Sequence, residues 1–168
     1  MKKDLLDSKE IIAVGEIDEH FFSKIIESLI LLKDKKSITI YLNSPGGEVN
    51  LAVGIYDFIR SLSAEVTIIV LGEACSCASY ILQAADHRLI SESSVLMMHD
   101  WVCTIDDTAT NAKTYINIGN KIFSKLVEVY IEKCGLTEKQ FRSKLKNDWY
   151  LTAEEAVELG FADKIYGK

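Results

Sequence analysis

Proline is all but missing from this chain. Pro45 is the single one among 168 residues, and no Gly/Ser-rich stretch breaks the composition, so nothing marks a linker between domains. No apolar run approaches the roughly 18–20 residues of a membrane-spanning helix, and Met1-Lys2-Lys3-Asp4 leads into no apolar signal-peptide core. The expectation is one domain over residues 1–168, cytoplasmic and without a membrane partner. Long basic tracts are absent too: 19 Lys and Arg stand against 25 Asp and Glu, a formal net charge of -6. That balance argues against nucleic acid and against an anionic membrane surface. Four cysteines without an export signal read as free thiols, not as a disulfide framework. Cys75 and Cys77 form a lone Cys-x-Cys with no histidine beside it, so no metal site is expected. Both read as small buried hydrophobes. No cofactor is expected either.

What is present is a globular pattern, 48% hydrophobic and 26% charged, long enough for a sizeable core. Ile11 to Val14 reads as a short strand closed by Gly15. Asp18 can cap a helix from Glu19 to about Lys33, with Phe22, Ile25, Ile26, Leu29 and Leu32 at helical spacing. Ile38 to Leu42 is a second strand, followed by a helix from about Asn50 to Ser61 and a fully apolar strand from Val66 to Leu71. Tyr80 to Ala85 is helical; Arg88–Ile90 and Val95–Met98 are further strands. A long helix spans roughly Thr110 to Lys133, with Ile118, Ile122, Leu126, Val129 and Tyr130 on one face and Gly135 as its C-cap. Two short helices follow, Thr137 to about Leu145 and Thr152 to Leu159, and both open on capping-box sequences. Alternating strands and helices predict an α/β layered domain with a largely parallel sheet.

Four places hold chemistry-bearing residues. Gly72-Glu73-Ala74-Cys75-Ser76-Cys77-Ala78-Ser79 stands where a strand becomes a helix, and a helix N-terminus offers unpaired N–H groups and partial positive charge. Ser76 is well placed there as a nucleophile, and equally well as an ordinary N-cap. Asn43-Ser44-Pro45-Gly46-Gly47 is a strand-to-helix turn whose glycines permit close backbone approach. His99 ends an apolar strand, and histidine is the usual general base near neutral pH. Asp148 lies between two helices, beside Trp149 and Tyr150, which can shield it from water. Taken singly, each has a bland explanation: a βα loop, a surface histidine, a turn aspartate.

Taken together, and in this order, they resemble the Clp protease proteolytic subunit, the ClpP-like serine peptidases, over about Ile11 to Ile165. Asn43 to Gly47 is similar to the family's loop before its substrate-lining helix, and Gly72 to Ala78 to its nucleophile turn. Met97-Met98-His99 resembles the strand carrying the catalytic histidine. The run from Asp148 to Asp163, with Thr152-Ala153-Glu154-Glu155-Ala156 inside it, resembles the C-terminal signature. The resemblance implies a ClpP/crotonase-like layered fold with a long handle helix. It implies Ser76 as nucleophile, His99 as base and then acid, and Asp148 as the residue that orients His99. It further implies an oxyanion hole from the N–H groups of Gly47 and Cys77, and substrate contacts at Gly46, Gly47, Glu48 and Trp101. The implied partners are a peptide or unfolded protein substrate and further copies of the chain, in a heptameric ring or two stacked rings.

The chain also departs from the family. Only Met1 to Glu10 precede the first strand, where the family has a longer segment; the expectation is weak or absent coupling to an AAA+ unfoldase. After His99 the family typically has Gln-Pro and a glycine-rich strand, whereas this chain has Asp100-Trp101-Val102-Cys103-Thr104-Ile105. Asn147 stands where an arginine commonly precedes the aspartate. Two other readings follow from the same fold: a crotonase-fold enzyme acting on a thioester, and a catalytically silent ring or scaffold subunit.

Overall fold

In the computed structural model, residues 8–168 are described. Lys2 to Asp7, on which the expectation about an unfoldase turned, lie outside the described residues. Strands β1 (Glu10–Val14), β2 (Ser37–Ser44) and β3 (Glu65–Cys75) run parallel, joined by helices α1 (Glu19–Leu32) and α2 (Val49–Ser61). Parallel neighbours need a crossover of this kind. Helix α3 (Cys77–Leu82) leads to β4 (His87–Ser91) and β5 (Val95–Met98). Then come α4 (Ala109–Cys134), α5 (Glu138–Lys144), β6 (Trp149–Thr152), α6 (Ala153–Glu158) and β7 (Lys164–Tyr166). The sheet order is β1-β2-β3-β4-β7, with β5 on β3 and β6 on β5. Among the described residues only the β5–β6 pairing is antiparallel.

The length of β3 shapes the site. Thr67 to Val70 pair with β4, while Glu73 to Cys75 pair with β5. The change of neighbour falls at Gly72, which adopts φ 95° and donates its N–H to Ser94 Oγ at 2.7 Å. Beyond that point β2, β3 and β5 end close together, and ligands of open parallel sheets gather at such carboxyl ends.

The core lies between sheet and helices, with Leu29, Ile68, Val70, Leu82, Ile90, Phe141 and Phe161 wholly buried. The expected caps form: Asp18 accepts the Phe21 N–H at 2.7 Å, Thr137 and Thr152 make capping boxes, and Gly135 takes φ 65°. Three expectations need correcting. Helix α1 buries Phe21, not Phe22, with Ile25, Leu29 and Leu32, because the sheet meets a face one residue round from the one expected. Helix α4 buries only Leu126, Val127 and Tyr130; Ile118 is half exposed, since the first turns run past the edge of the core. Trp149 to Thr152 form a strand, not a turn between helices, because β5 supplies an antiparallel partner. Among the described residues no helix is long and apolar enough to cross a membrane.

Candidate active site

Ser76 sits in the turn from β3 into α3 with φ 52° and ψ -126°. Only one other described non-glycine residue, Lys9, has positive φ. Such a backbone costs about 1–3 kcal/mol and persists only where the surroundings over-determine it. Here the Ser76 N–H donates to the Met97 carbonyl at 2.7 Å, continuing the Cys75–Met97 pairing of β3 and β5. Its carbonyl accepts from the Ser79 N–H at 3.0 Å and from Ser79 Oγ at 2.7 Å. The side chain does not cap the helix. Its oxygen is free for another partner, His99 Nε2, at 2.7 Å.

The glycine turn explains how the backbone comes so close. A Cβ on Gly46 would lie 2.7 Å from Ser76 Cβ and 2.8 Å from the Cys75 carbonyl oxygen. One on Gly47 would overlap the Ile17 backbone, where the Ile17 N–H donates to Gly46 at 2.8 Å and the Glu48 N–H donates back to Ile17 at 2.9 Å. Gly46 is therefore buried beneath Ser76 and Gly47 exposed beside it. Cys77 Sγ rests 3.5 Å from the Gly47 carbonyl oxygen, so the backbones of Gly47 and Cys77 adjoin.

Neither flanking cysteine competes with Ser76 as nucleophile. Burial, reinforced by Glu73, pushes the Cys75 thiol up to about 12. Burial also pushes the Cys77 thiol up, against hydrogen bonds from Ser76 and from the backbones of Gly47 and Cys77. The thiolate is the reactive form of cysteine, so both stay protonated packing groups.

Asp148 follows from the strand register. Met98 pairs with Trp149 as the last pair of the β5–β6 ladder, and His99 and Asp148 each stand one residue beyond it. Among the described residues no hydrogen bond or ion pair joins them, and Asp148 is exposed. The aromatic shield expected around it does not form. Trp149 turns inward, 5.7 Å from Phe161 and 5.9 Å from Phe141 between ring centroids, and Tyr150 points out at 58% exposure. Strand alternation requires this split.

Beside Ser76 and His99 opens a cavity of about 160 Å³ lined by Tyr80, Met98, Phe123, Leu126, Phe141 and Leu145. Trp101 borders it and belongs to a stretch after His99 without regular structure. Its Nε1 donates to Asn120 Oδ1 at 3.0 Å, and its ring lies on Gly119 of α4, where a side chain would collide with it. Glu48 lies outside this cavity, in an adjoining groove that Trp101 shares. His87 is engaged elsewhere, with Glu65 at 2.8 Å. Among the described residues no group of three or more His, Cys, Asp or Glu is placed to hold a metal ion.

Sequence reasoning overlooked Ser79 and the apolar lining drawn from α4 and α5. Ser79 signals itself only as a polar residue in an apolar helix three places after Ser76.

A hydroxyl on an imidazole beside a glycine-rich turn is chemistry that many folds reach, and the whole-chain comparison decides among them. The Clp protease family model matches residues 1–168. The chain belongs to the Clp protease family. The "ATP-dependent Clp protease proteolytic subunit 2" of Treponema denticola is 32% identical over 170 residues, which covers 98% of this chain and 85% of that protein. Membership in the Clp proteases agrees with the mixed α/β architecture and its mostly parallel sheet, and makes the chain a peptidase by class.

Proposed function

We propose that this Clp-family chain is a serine endopeptidase in which Ser76 attacks the peptide carbonyl. The observation that carries the reading is the 2.7 Å approach of Ser76 Oγ to His99 Nε2. An unprotonated Nε2 accepts the hydroxyl proton as Oγ bonds to the carbonyl carbon. The oxyanion takes the N–H groups of Gly47 and Cys77. His99 then gives its proton to the leaving amine, and water hydrolyses the acyl-enzyme with His99 again as base. Asp148 holds the Nδ1 proton of His99, a role supported by its place one residue beyond the Met98–Trp149 pair, where His99 also stands. A bond to that proton has to form as substrate binds, in keeping with catalytic contacts that tighten only in the complex. The apolar cavity takes the side chain before the cleaved bond, so apolar residues are favoured there.

The same reading makes the working protein a ring of several copies. Its support is the half-exposed Tyr115 and Ile118 on α4 and Ile12 and Val14 on β1, apolar surface that a partner copy can cover. Short peptides need only the residues named here and are cleaved without ATP.

A fluorophosphonate probe tests the nucleophile without knowledge of the substrate. Labelling of wild type that vanishes in Ser76→Ala is expected, together with loss of peptidase activity by several orders of magnitude. Peptidase activity retained in a clean Ser76→Ala preparation would overturn the assignment. Absent labelling with thioester turnover would favour the crotonase reading, and absence of both the silent subunit.

A further inference from the structure

The carbonyl of Ser76 and the N–H of Cys77 belong to one peptide group. Whatever holds that carbonyl therefore also aims the N–H on its other side, and draws charge toward oxygen so that the N–H becomes a better donor. The Ser76 carbonyl is held by Ser79, whose Oγ donates to it at 2.7 Å. Ser79 Oγ is also 2.8 Å from the Tyr130 hydroxyl. A serine hydroxyl has one proton. With that proton committed to the Ser76 carbonyl, Tyr130 must be the donor in the second bond. The order is thus fixed: Tyr130 O–H to Ser79 Oγ, Ser79 O–H to the Ser76 carbonyl, and the Cys77 N–H facing outward at the end of the series.

The series is buried and tightly packed. Ser79 is wholly buried and Tyr130 nearly so. The Tyr130 ring is stacked on Phe141 at 5.3 Å between centroids and meets Tyr80 and Phe161 edge-on, both at 6.1 Å. Burial pushes its hydroxyl above the usual tyrosine range, so it keeps its proton. Two hydroxyls placed in an apolar core are an expensive way to fill space.

We propose that Tyr130 and Ser79 are positioning residues for the peptidase reaction: their hydroxyls orient and polarise the Ser76–Cys77 peptide so that the Cys77 N–H stabilises the oxyanion. This rests on the serine-peptidase reading above. It ties the oxyanion site, otherwise built from β2, β3 and α3, to the long helix α4.

Tyr130→Phe removes one oxygen and leaves the ring in its packing; Ser79→Ala removes the link itself. Their kcat should fall by a fraction of the roughly 10²–10³-fold that loss of a whole oxyanion donor costs: about 3–10-fold for Tyr130→Phe, and about tenfold or more for Ser79→Ala. KM for a short fluorogenic peptide should stay near wild type. Affinity for a peptide boronate, which forms a tetrahedral adduct on the nucleophile, should fall in parallel with kcat. The double variant should be no worse than Ser79→Ala, because Tyr130 then has no hydroxyl to act through. Unchanged kcat and boronate affinity in both single variants would overturn the proposal, as would losses that simply multiply in the double variant or appear only in KM. If Ser79→Ala does not fold, Tyr130→Phe decides alone. Failure of the underlying reading is distinguishable, since the wild type would then show no fluorophosphonate labelling, and the proposal falls with it.

Discussion

Ser76 pays for its exposure with an unfavourable backbone, and the residues around it are small or glycine for that reason. Gly46→Ala is expected to inactivate without unfolding the domain, because the new methyl would meet Ser76 Cβ at 2.7 Å while φ 101° strains any side chain there. Peptidase assays beside a circular-dichroism melt check this; full activity would show that the turn yields. His99→Ala should cost about 10⁴-fold or more, as loss of one member disables the set. Asp148→Asn should cost less, since it disturbs the setting of His99 and leaves the base in place. At this scale the sequence was informative about residue types and silent about conformation. Ser76, His99 and Asp148 stood out only together, through the order of motifs that resembles a family, and φ 52° at Ser76 is imposed by bonds to Met97 and Ser79 that no local pattern announces. The exposure of Asp148 was equally hidden: Trp149 and Tyr150 beside it looked like a shield until strand alternation sent them to opposite faces.

Among the elements, those with strong periodicity were legible. The capping boxes of α5 and α6 and the glycine stop of α4 rest on interactions within a few residues and were readable, whereas the stripe of α1 was read one residue round from the face that packs. The strands β6 and β7 were not. They have 4 and 3 residues, too few for an alternation to register, and they exist because β5 and β4 are there to pair with them. The contact of Trp101 with α4 was hidden for the same reason. Gly119→Ala should improve helix propensity by about 1 kcal/mol and still expel the indole, because its methyl would overlap the Trp101 ring. In a Trp149→Phe background, a red shift of the remaining tryptophan emission would report that release; an unshifted spectrum would mean that the ring and helix accommodate each other. Trp149→Ala should destabilise by about 2–4 kcal/mol, as it opens a gap against Phe141 and Phe161, measurable by denaturant unfolding.

For the whole molecule, Arg88 fastens the C-terminal region to the sheet. It pairs with the Asp163 carboxylate and donates to the Gly160 carbonyl at 2.8 Å and to Gln83 Oε1 at 2.9 Å. Burial alone would raise the Asp163 carboxyl, but the hydrogen bonds from Arg88 outweigh it, and the net shift is downward. A depressed carboxyl contributes stability above its unfolded value, near 3.9, and loses it as pH falls through the lower folded value. Asp163→Asn should therefore be less stable than wild type at neutral pH, and the difference should shrink toward the acid end of the range. Thermal melts between neutral pH and about 3 would check the sign. Sedimentation bears on the ring reading: association in the micromolar range is expected, and monomer throughout would count against it.

The change of neighbour along β3 has a mechanical consequence. Strand β5, and through it β6, is laddered to the main sheet by three residue pairs, Glu73–Val95, Ala74–Leu96 and Cys75–Met97, and by the Ser76 N–H on the Met97 carbonyl. Ser76 belongs to the other side of that seam. Peeling the three pairs apart would carry base and carboxylate away from the hydroxyl as one piece, while the four-stranded ladder from β1 to β4 stayed shut. Amide exchange should accordingly be faster across β5 and β6 than across β2 and the first half of β3.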